Sequence, residues 1–357
     1  MTRRASLREL LYEHTMAAAP ALVRTEADQS VHCCGCGHRC HIHPGKSGIC
    51  LMRFNREGEL RVPGGYVAGL AMDPIEKKPF YHVLPGSDAL SFGMLGCNFH
   101  CKFCQNWVSS QALRDDRAVS GPSQYCTAAQ IAEAAVDQRV PIITSTYNEP
   151  LITSEWSVEI FRLASAAGIL CGYVSNGHGT PEVLEFLRPH MRLFNIDLKC
   201  FDADKYRELG GRFDAVTETI RQAHAMGFWV EVVTLVVPGF NDSDDELGRM
   251  AGFIASVSEE IPWHCTAYRP MYKVADPAAT PPGTLARAYE RGKAAGLKYV
   301  YSGNLPGLVG ETEHTSCSSC GTRLIERRGF YVSAYRLVGD RCPDCGTKVA
   351  GVFSSGR

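Results

Sequence analysis

Cysteine is the residue type that could do the most chemistry in this sequence, and most of its sixteen copies are clustered. Five lie between residues 33 and 50, three between 97 and 104, and four between 317 and 345. Thiols spaced two or three residues apart collect around metals, whereas disulfides predominate in small secreted domains. Glu9, Glu13 and His14 interrupt the N-terminal apolar run, which argues against an export signal. We therefore expect three metal sites in a cytoplasmic protein.

Of the three groups of cysteines, the one in the stretch GCNFHCKFCQNW, residues 96–107, is the best candidate for a catalytic metal site. Cys97, Cys101 and Cys104 follow a C-x3-C-x2-C pattern, one thiol short of a closed tetrahedral site. Three thiolates can hold three irons of a [4Fe–4S] cluster and leave the fourth iron open to a small molecule. A structural zinc with a distant fourth ligand is one alternative. A plain electron-transfer cluster closed by an outside cysteine is another.

The C-terminal cluster forms a paired-knuckle pattern, in which each C-x2-C pair is followed by glycine. Four thiolates on two facing hairpins suit one tetrahedral Zn²⁺, and such a small unit usually needs a metal to be stable. A rubredoxin-type iron is the alternative. We expect a structural cap rather than a nucleic-acid-binding module. The proposed ligands are Cys317, Cys320, Cys342 and Cys345.

The N-terminal cluster follows C-x2-C-x3-C-x9-C, and histidines are interleaved with its cysteines. Both a structural zinc and an auxiliary [4Fe–4S] cluster accept four thiolates, so the pattern allows either. A structural role is favoured; an auxiliary cluster would imply electron relay or substrate anchoring. The proposed ligands are Cys33, Cys36, Cys40 and Cys50, with Cys34 as a spare.

Composition narrows the class of protein around these sites. The chain has 357 residues, of which 45% are hydrophobic and 21% are charged, as in ordinary globular proteins. A net charge of −1 does not suggest binding to polyanions through bulk charge, so a nucleic-acid partner is disfavoured. No run of eighteen apolar residues is present, which predicts that the chain does not span a membrane.

The elements that must position these sites alternate between strands and helices through the middle of the chain. Helices end in glycine, and β-branched apolar runs follow at once, which is typical of a parallel sheet, either doubly wound or a barrel. We divide the chain into a Cys-rich segment (1–86), a core (87–310) and a small C-terminal unit (311–357). The predicted strands are Leu90–Leu95, Pro141–Thr146, Ile169–Val174, Leu193–Leu198, Trp229–Val237, His264–Tyr268 and Lys298–Ser302.

Taken together, these motifs resemble the radical S-adenosylmethionine (SAM) superfamily. Phe103 precedes the last cysteine of the loop, and further family-like segments end consecutive predicted strands. The TYNEP stretch at 146–150 lacks the family's glycines but is similar to the pyruvate formate-lyase activating enzyme branch, as is the DLK stretch at 197–199. Singly, each segment could be a helix cap, a turn or an ion pair. Together, they lie at the carboxyl ends of the predicted strands, where the active site of such a fold is expected.

The resemblance implies a partial (β/α) barrel of the TIM type, with a Cys-rich N-terminal segment and a zinc-ribbon or rubredoxin-like C-terminal unit. It also implies that a [4Fe–4S] cluster cleaves SAM reductively to a 5′-deoxyadenosyl radical, which abstracts hydrogen from a substrate. The residues expected to bind SAM are Phe103, Asn148, Glu149, Ser175, Asn176, Asp197 and Lys199. Candidates to face the substrate, from their predicted positions alone, are His100, Lys199, His264, Tyr268 and Asn304.

A narrower resemblance is to the radical SAM enzymes of the AmmeMemoRadiSam system, carried by DPIEKKPFYH at 73–82, by the three-cysteine loop and by the N-terminal cysteine pattern. It implies Memo-type and AMME-type protein partners, and a flavodoxin- or ferredoxin-type electron donor. The alternatives are a glycyl-radical-enzyme activase, an RNA-modifying enzyme and a non-catalytic zinc-binding scaffold. The intact three-cysteine loop argues against the scaffold.

Overall fold

The N-terminal segment consists of short strands that pair in small antiparallel sheets. The computed structural model describes residues 7–118, 124–274 and 276–354. Strands β1, β6 and β5 form one sheet, β2, β3 and β4 another, and β7 pairs with the later strand Gln124–Tyr125. The elements are α1 (Leu7–Glu13), β1 (Thr15–Ala17), β2 (Val23–Thr25), β3 (Val31–Cys33), β4 (His41–Ile42), β5 (Phe54–Arg56), β6 (Glu59–Pro63) and β7 (Tyr66–Val67).

An eight-stranded sheet forms the core. Its strands are parallel except for the antiparallel pair at one edge, and its two edge strands do not pair, so the barrel is open. The strands from here on are β8 (Gly69–Pro74), β9 (Asp88–Gly93), β10 (Gln124–Tyr125), β11 (Ile142–Ser145), β12 (Leu170–Ser175), β13 (Leu193–Asp197), β14 (Trp229–Val236), β15 (Trp263–Ala267) and β16 (Val300–Gly303). All but β10 belong to the core sheet.

Helices connect the parallel strands of the core. They are α2 (Trp107–Ser110), α3 (Ala128–Asp137), α4 (Ser154–Ala166), α5 (Pro181–Leu187), α6 (Ala203–Glu208), α7 (Phe213–Ala225), α8 (Asp244–Val257) and α9 (Pro282–Ala294). Single 3₁₀ turns span Pro20–Leu22, Ile75–Lys77 and Pro150–Thr153. None of the helices in the described ranges is both long and apolar enough to cross a membrane.

The sequence predicted these parallel strands because their local signals are strong. All seven predicted strands are present within one or two residues of the expected bounds. Thr127 forms the expected capping box with Gln130 at the start of α3. Gly168, Gly227 and Gly296, each just after a helix, have φ of 78°, 86° and 93°, a left-handed conformation that suits glycine. The α/β class and its parallel sheet are therefore confirmed.

Strand β8 was missed by the sequence analysis because its polarity pattern is inverted. Leu70 and Met72 face solvent and are 40% and 52% exposed, while Ala71 and Asp73 face inward. The usual alternation, with apolar side chains directed to the core, is therefore absent. Pairing with β9 over six residues defines this strand, and only the tertiary structure shows it.

The C-terminal unit packs against the last strand of the core. Its strands are β17 (Thr315–Ser316), β18 (Arg323–Arg328) and β19 (Tyr331–Tyr335). Tyr299 and Tyr301 of the core share a buried cluster with Leu324 and Ile325. The fully buried Arg327 guanidinium donates to the backbone oxygen of Tyr81 at 2.6 Å. The unit is therefore joined to the core through both apolar and polar contacts.

We expect Ile160→Ala to destabilise the core. Ile160 lies on α4 and is fully buried against the sheet, so truncation removes apolar contacts and leaves a cavity. The expected loss in free energy of unfolding is about 2–5 kcal/mol, measured by denaturant titration. Val136→Ala on α3, at a side chain 48% exposed, is the control and should change the free energy of unfolding little. Equal losses in both variants would contradict this packing.

Candidate active site

A cavity of about 400 Å³ opens at the carboxyl ends of the parallel strands. The loop that follows β9 covers one side of it, and residues of β11 to β16, of the segment 76–81 and of the C-terminal unit line the rest. This is the edge where parallel α/β folds carry their sites. The structure brings together here the three loop cysteines and most of the other predicted site residues, namely Phe103, Asn148, Glu149, Ser175, Asn176, Asp197, Lys199, His264 and Asn304.

Two predicted site residues lie elsewhere. His100 is exposed, and its ring lies against Gly210 on the outer side of the cysteine loop. Tyr268 is fully buried and donates its hydroxyl to the backbone oxygen of Val274 at 2.8 Å. Neither residue lines the cavity. His100 is a surface residue, and Tyr268 holds a neighbouring loop in position.

Side chains from α2 and the turn after it hold the cysteine loop in place. The Arg114 guanidinium donates to the backbone oxygen of Cys97 at 2.7 Å, and the Gln111 amide donates to that of Phe99 at 3.1 Å. The Phe99 N–H donates to the Cys97 sulfur at 3.3 Å, and the Ser110 hydroxyl lies 3.2 Å from the Cys104 sulfur. The thiols are therefore presented from a fixed backbone.

Burial gives the loop thiols a strong need for a cationic partner. Burial is the main reason why the pKa of Cys97 lies well above its ordinary value and that of Cys101 is raised to about 12. Neighbouring thiols contribute to both shifts. Metal cations remove this penalty because they bind the thiolate form. In the part of the chain that the structure describes, no three thiols of this loop lie within 4.8 Å of one another. That spread suits an iron–sulfur cluster, whose corners are separate iron atoms, better than a single ion.

Glu149 is the most tightly held acid of the site. Its carboxylate accepts hydrogen bonds from the Ser175 hydroxyl at 2.6 Å, the Asn176 N–H at 2.8 Å and the Leu151 N–H at 3.0 Å. Burial raises the pKa of Glu149 to about 7, although the bond from Ser175 lowers it. Its charge therefore changes near neutral pH, and it links the ends of β11 and β12.

The neighbouring residues of the TYNEP stretch also have defined roles. The Asn148 side-chain oxygen accepts from the Met94 N–H at 3.0 Å, which ties this stretch to the end of β9. Tyr147 has a left-handed φ of 73°, an uncommon conformation for a tyrosine. Its hydroxyl donates to Asp73 at 3.0 Å, and Asp73 also pairs with the buried Lys78 at 2.8 Å.

Asn98 connects the cysteine loop to β12, and sequence analysis did not single it out. Its side-chain oxygen accepts from the Asn176 amide at 2.7 Å and lies 3.8 Å from the Cys97 sulfur. Its amide nitrogen is buried without a hydrogen-bond partner in the protein. A buried donor with no acceptor is costly, and sulfides of a cluster would supply acceptors at this place. The residues present therefore fit the group.

Besides the Asp73–Lys78 pair, the cavity is lined by an ion pair between Asp197 and Lys199. The Lys199 ammonium lies 3.0 Å from the Asp197 carboxylate. Burial alone would lower the pKa of Lys199, but Asp197 and the Cys101 thiol raise it above its ordinary value. Lys199 therefore carries a positive charge close to the cysteine loop.

Behind the cavity-lining His264 lies a buried carboxylate that the sequence analysis also missed. Glu231 in β14 accepts from the His264 ring at 2.7 Å and from the Tyr81 and His82 N–H groups, each at 2.9 Å. A single acidic residue within the apolar run WVEVV is the signal that could have found it. Asn304, with a left-handed φ of 65°, donates to the backbone oxygen of Ala267 at 3.1 Å.

The C-terminal cysteines converge as one tetrahedral metal site requires. The Cys317 and Cys345 sulfurs are 3.6 Å apart, and those of Cys320 and Cys342 are 3.7 Å apart. A tetrahedron with Zn–S bonds of about 2.3 Å has edges of about 3.8 Å. All four sulfurs lie within 4.8 Å of one another. The set can thus hold a single ion.

We expect Cys342→Ala to remove this ion. Three thiols cannot close a structural tetrahedral site, so the content of the metal bound here should fall by about one ion per chain, while metal at the other cysteine sets is retained. Zinc and iron contents, measured by mass spectrometry on the purified protein, report both the loss and the identity of the metal. Cys126→Ala, at an isolated half-buried cysteine, is the control and should retain the ion. A metal content unchanged in Cys342→Ala would contradict the site.

Comparison with known proteins agrees with this geometry. Residues 93–251 match the family profile of the radical SAM superfamily. An uncharacterized protein of Methanocaldococcus jannaschii is 37% identical over 327 residues, which cover 90% of this chain and 96% of that protein. The pyruvate formate-lyase-activating enzyme of Staphylococcus aureus is 23% identical over 187 residues, 47% of this chain and 72% of the enzyme.

Among solved structures, Streptococcus suis SuiB is similar with a TM-score of 0.47 and 13% identity, over 66% of this chain and 52% of SuiB. The assignment itself rests on the sequence relatives, the profile match and the three-cysteine cavity. The chain belongs to the radical SAM superfamily, and it is a radical S-adenosylmethionine enzyme.

Proposed function

We propose that Cys97, Cys101 and Cys104 hold a [4Fe–4S] cluster, and that the enzyme abstracts hydrogen from a substrate enclosed in the 400 Å³ cavity. Bound together, such a cluster and SAM supply a 5′-deoxyadenosyl radical by one-electron reductive cleavage. The observation that carries the proposal is that the three loop thiols and the Glu149–Asn176 pair line one cavity. The cofactors carry the difficult step, and the protein binds and orients them.

The chain's own residues divide the cavity between SAM and substrate. Asn148 and Glu149 lie beside the cysteine loop, where an ionised carboxylate attracts the ammonium group of SAM. Ser175 and Asn176 extend the same wall and suit the ribose and methionine portions. Asp197 and Lys199 face them from the end of β13. These roles follow the family resemblance residue by residue.

The remaining wall is available to the substrate. His264 and Asn304 line the cavity beyond the cysteine loop, and the buried Lys78 lies at its rim. Phe103 packs edge-to-face against Phe240, with ring centroids 5.4 Å apart, and shields the loop from water. Exclusion of water and of other hydrogen donors protects a reactive radical.

The partner proteins are proposed on the resemblance. An open cluster needs a one-electron donor, for which a flavodoxin- or ferredoxin-type protein is the chemical class. The DPIEKKPFYH stretch supports membership of the AmmeMemoRadiSam system, with Memo-type and AMME-type partners. All sixteen cysteines lie in the described part of the chain and are free thiols, which suits a reducing cytoplasm.

A glycyl-radical-enzyme activase is the second candidate function. The similarity to the Staphylococcus aureus activating enzyme favours it, although that similarity covers 47% of this chain. The two candidates differ in the acceptor of the radical. An activase would transfer it to a backbone glycine of a partner protein, which leaves a characteristic EPR doublet on that partner.

Reductive cleavage of SAM is the first prediction of the proposed function. The anaerobically reconstituted and reduced protein should convert SAM to 5′-deoxyadenosine, and Cys104→Ala should give at least a hundredfold less (on the order of 3 kcal/mol of lost stabilisation). Liquid chromatography of the product measures this. Cys126→Ala is the matched control and should behave as the unaltered protein does.

The EPR spectrum of the reduced cluster is the second readout of the same experiment. SAM should alter the spectrum of the unaltered protein, because it binds the open iron directly. A fully loaded cluster that makes no 5′-deoxyadenosine and whose spectrum SAM leaves unchanged would overturn the proposal.

The charge of Glu149 should control the affinity for SAM. With a pKa of about 7, its carboxyl is ionised above that pH and neutral below it, so binding of the SAM ammonium should weaken as the pH falls from 8 to 6. Glu149→Gln should weaken binding about tenfold or more at pH 8 and lose the pH dependence. Anaerobic equilibrium dialysis measures both.

The control for that experiment is Glu133→Gln, an exposed position on α3 that should leave affinity and pH dependence unchanged. An unaltered protein whose SAM affinity is flat between pH 6 and 8 would refute the role given to Glu149. So would a Glu149→Gln variant that binds SAM as tightly as the unaltered protein.

A further inference from the structure

The four N-terminal cysteines of the C-x2-C-x3-C-x9-C pattern are folded into one place. Cys33 ends β3, and its N–H donates to the backbone oxygen of Cys40 at 2.9 Å. Cys36 and Cys50 are buried, and Cys40 is half-buried. Four thiols gathered in one segment match the number of ligands that a closed tetrahedral zinc site or a four-iron cluster requires.

The spacing of these thiols differs from that of a site for one ion. Within residues 7–118, 124–274 and 276–354, the C-terminal cysteines have their ligand atoms within 4.8 Å of one another, and no three of the N-terminal thiols do. Like the Cys97–Cys104 loop, the N-terminal set therefore lacks the tight convergence that a single ion requires. A four-iron cluster holds its thiolates on separate metal corners, so this spread favours a cluster over zinc.

Donors surround the N-terminal thiols as they surround iron–sulfur clusters. The Arg53 guanidinium lies 3.6 Å from the Cys33 sulfur, and the Ile49 N–H lies 3.5 Å from the Cys40 sulfur. Such N–H···S bonds and a nearby positive charge stabilise the anionic charge of a thiolate-bound cluster.

Cys34 lies outside this set although it is the neighbour of Cys33. Its sulfur lies 3.9 Å from the Arg39 guanidinium, which forms an ion pair with Glu182 at 2.6 Å on the protein surface. Cys34 therefore serves as a matched control cysteine from the same segment.

One residue links this set to the SAM-binding loop. Asn98 belongs to that loop, and on one side it meets His38, which lies two residues after Cys36. On the other side its oxygen lies 3.8 Å from the Cys97 sulfur. The backbone oxygen of Asn98 lies 3.1 Å from the His38 ring, within hydrogen-bonding distance. The two cysteine sets are thus adjacent and rigidly joined.

We propose that Cys33, Cys36, Cys40 and Cys50 bind a second [4Fe–4S] cluster, which relays electrons past Asn98 to the cluster of the three-cysteine loop. The second site stands on its own geometry, whereas the relay rests on the proposed radical SAM function. A reduced flavodoxin-type or ferredoxin-type donor would give one electron to the second cluster. That electron would pass to the open cluster, which returns the second cluster to its oxidised state. From the open cluster it would reach the SAM sulfonium and drive the reductive cleavage described above.

The first experiment tests the site without the open cluster. A full-length variant with Cys97, Cys101 and Cys104 all changed to Ala is reconstituted anaerobically, and its iron, sulfide and zinc are measured beside its EPR spectrum. It should retain about four irons and four sulfides and show a reduced-cluster signal. Adding Cys36→Ala should abolish both, and adding Cys34→Ala should leave both intact. Zinc in place of iron, or iron that survives Cys36→Ala, would overturn the proposal.

The second experiment tests the relay in the protein with an intact three-cysteine loop. Cys36→Ala should make 5′-deoxyadenosine when dithionite reduces the open cluster directly. With reduced flavodoxin as the donor it should be at least tenfold slower than Cys34→Ala. Equal rates for the two variants with flavodoxin would refute the relay and leave the second cluster in place. Failure of both variants with dithionite, together with failure of the unaltered protein, would instead count against the proposed radical SAM function.

Discussion

The hydrogen bond between the Asn176 amide and the Asn98 side-chain oxygen holds the site of this enzyme together. At 2.7 Å and fully buried, it joins the end of β12 to the cysteine loop that follows β9. Asn176 is itself fixed by the Glu149 carboxylate, and the Asn98 backbone oxygen lies within hydrogen-bonding distance of the His38 ring in the N-terminal segment. Two strand ends and both cysteine sets therefore depend on one pair of side chains. Buried amides bonded in this way leave little freedom to the loop between them.

Burial imposes the second constraint on the site. The loop thiols and Glu149 are removed from water, which disfavours their charged forms, while Asp197 keeps Lys199 protonated beside them. A metal cluster bound to Cys97 and its neighbours would neutralise thiolate charge that the protein alone leaves uncompensated. The same reasoning applies to the N-terminal thiols, where the Arg53 guanidinium supplies a nearby positive charge.

Two buried ion pairs attach the outer segments to the core. Arg53 of the N-terminal segment pairs with Glu155 on α4, and Arg327 of the C-terminal unit pairs with Glu76 at 3.4 Å. Removal of one partner from such a pair costs about 3–5 kcal/mol because the other charge is left buried and unpaired. The segments that carry the N-terminal and C-terminal cysteine sets are therefore fixed against the sheet rather than tethered loosely to it. That rigidity is what a short electron path between neighbouring sites requires.

The parallel strands, the helix caps and the three cysteine motifs can all be recognised in the sequence. These features depend on local periodicity, on glycine at helix ends and on ligand spacing, which neighbouring residues along the chain define. Only the tertiary structure decided which polar groups meet. Asn98 and strand β8 carry no periodic signal, and Glu231 is marked only as an acid within an apolar run; their partners lie far away in the chain. Packing also brings the C-terminal thiols together and leaves the other two sets less tightly converged. The spacing of cysteines along the chain does not fix the distances between side chains on separate turns.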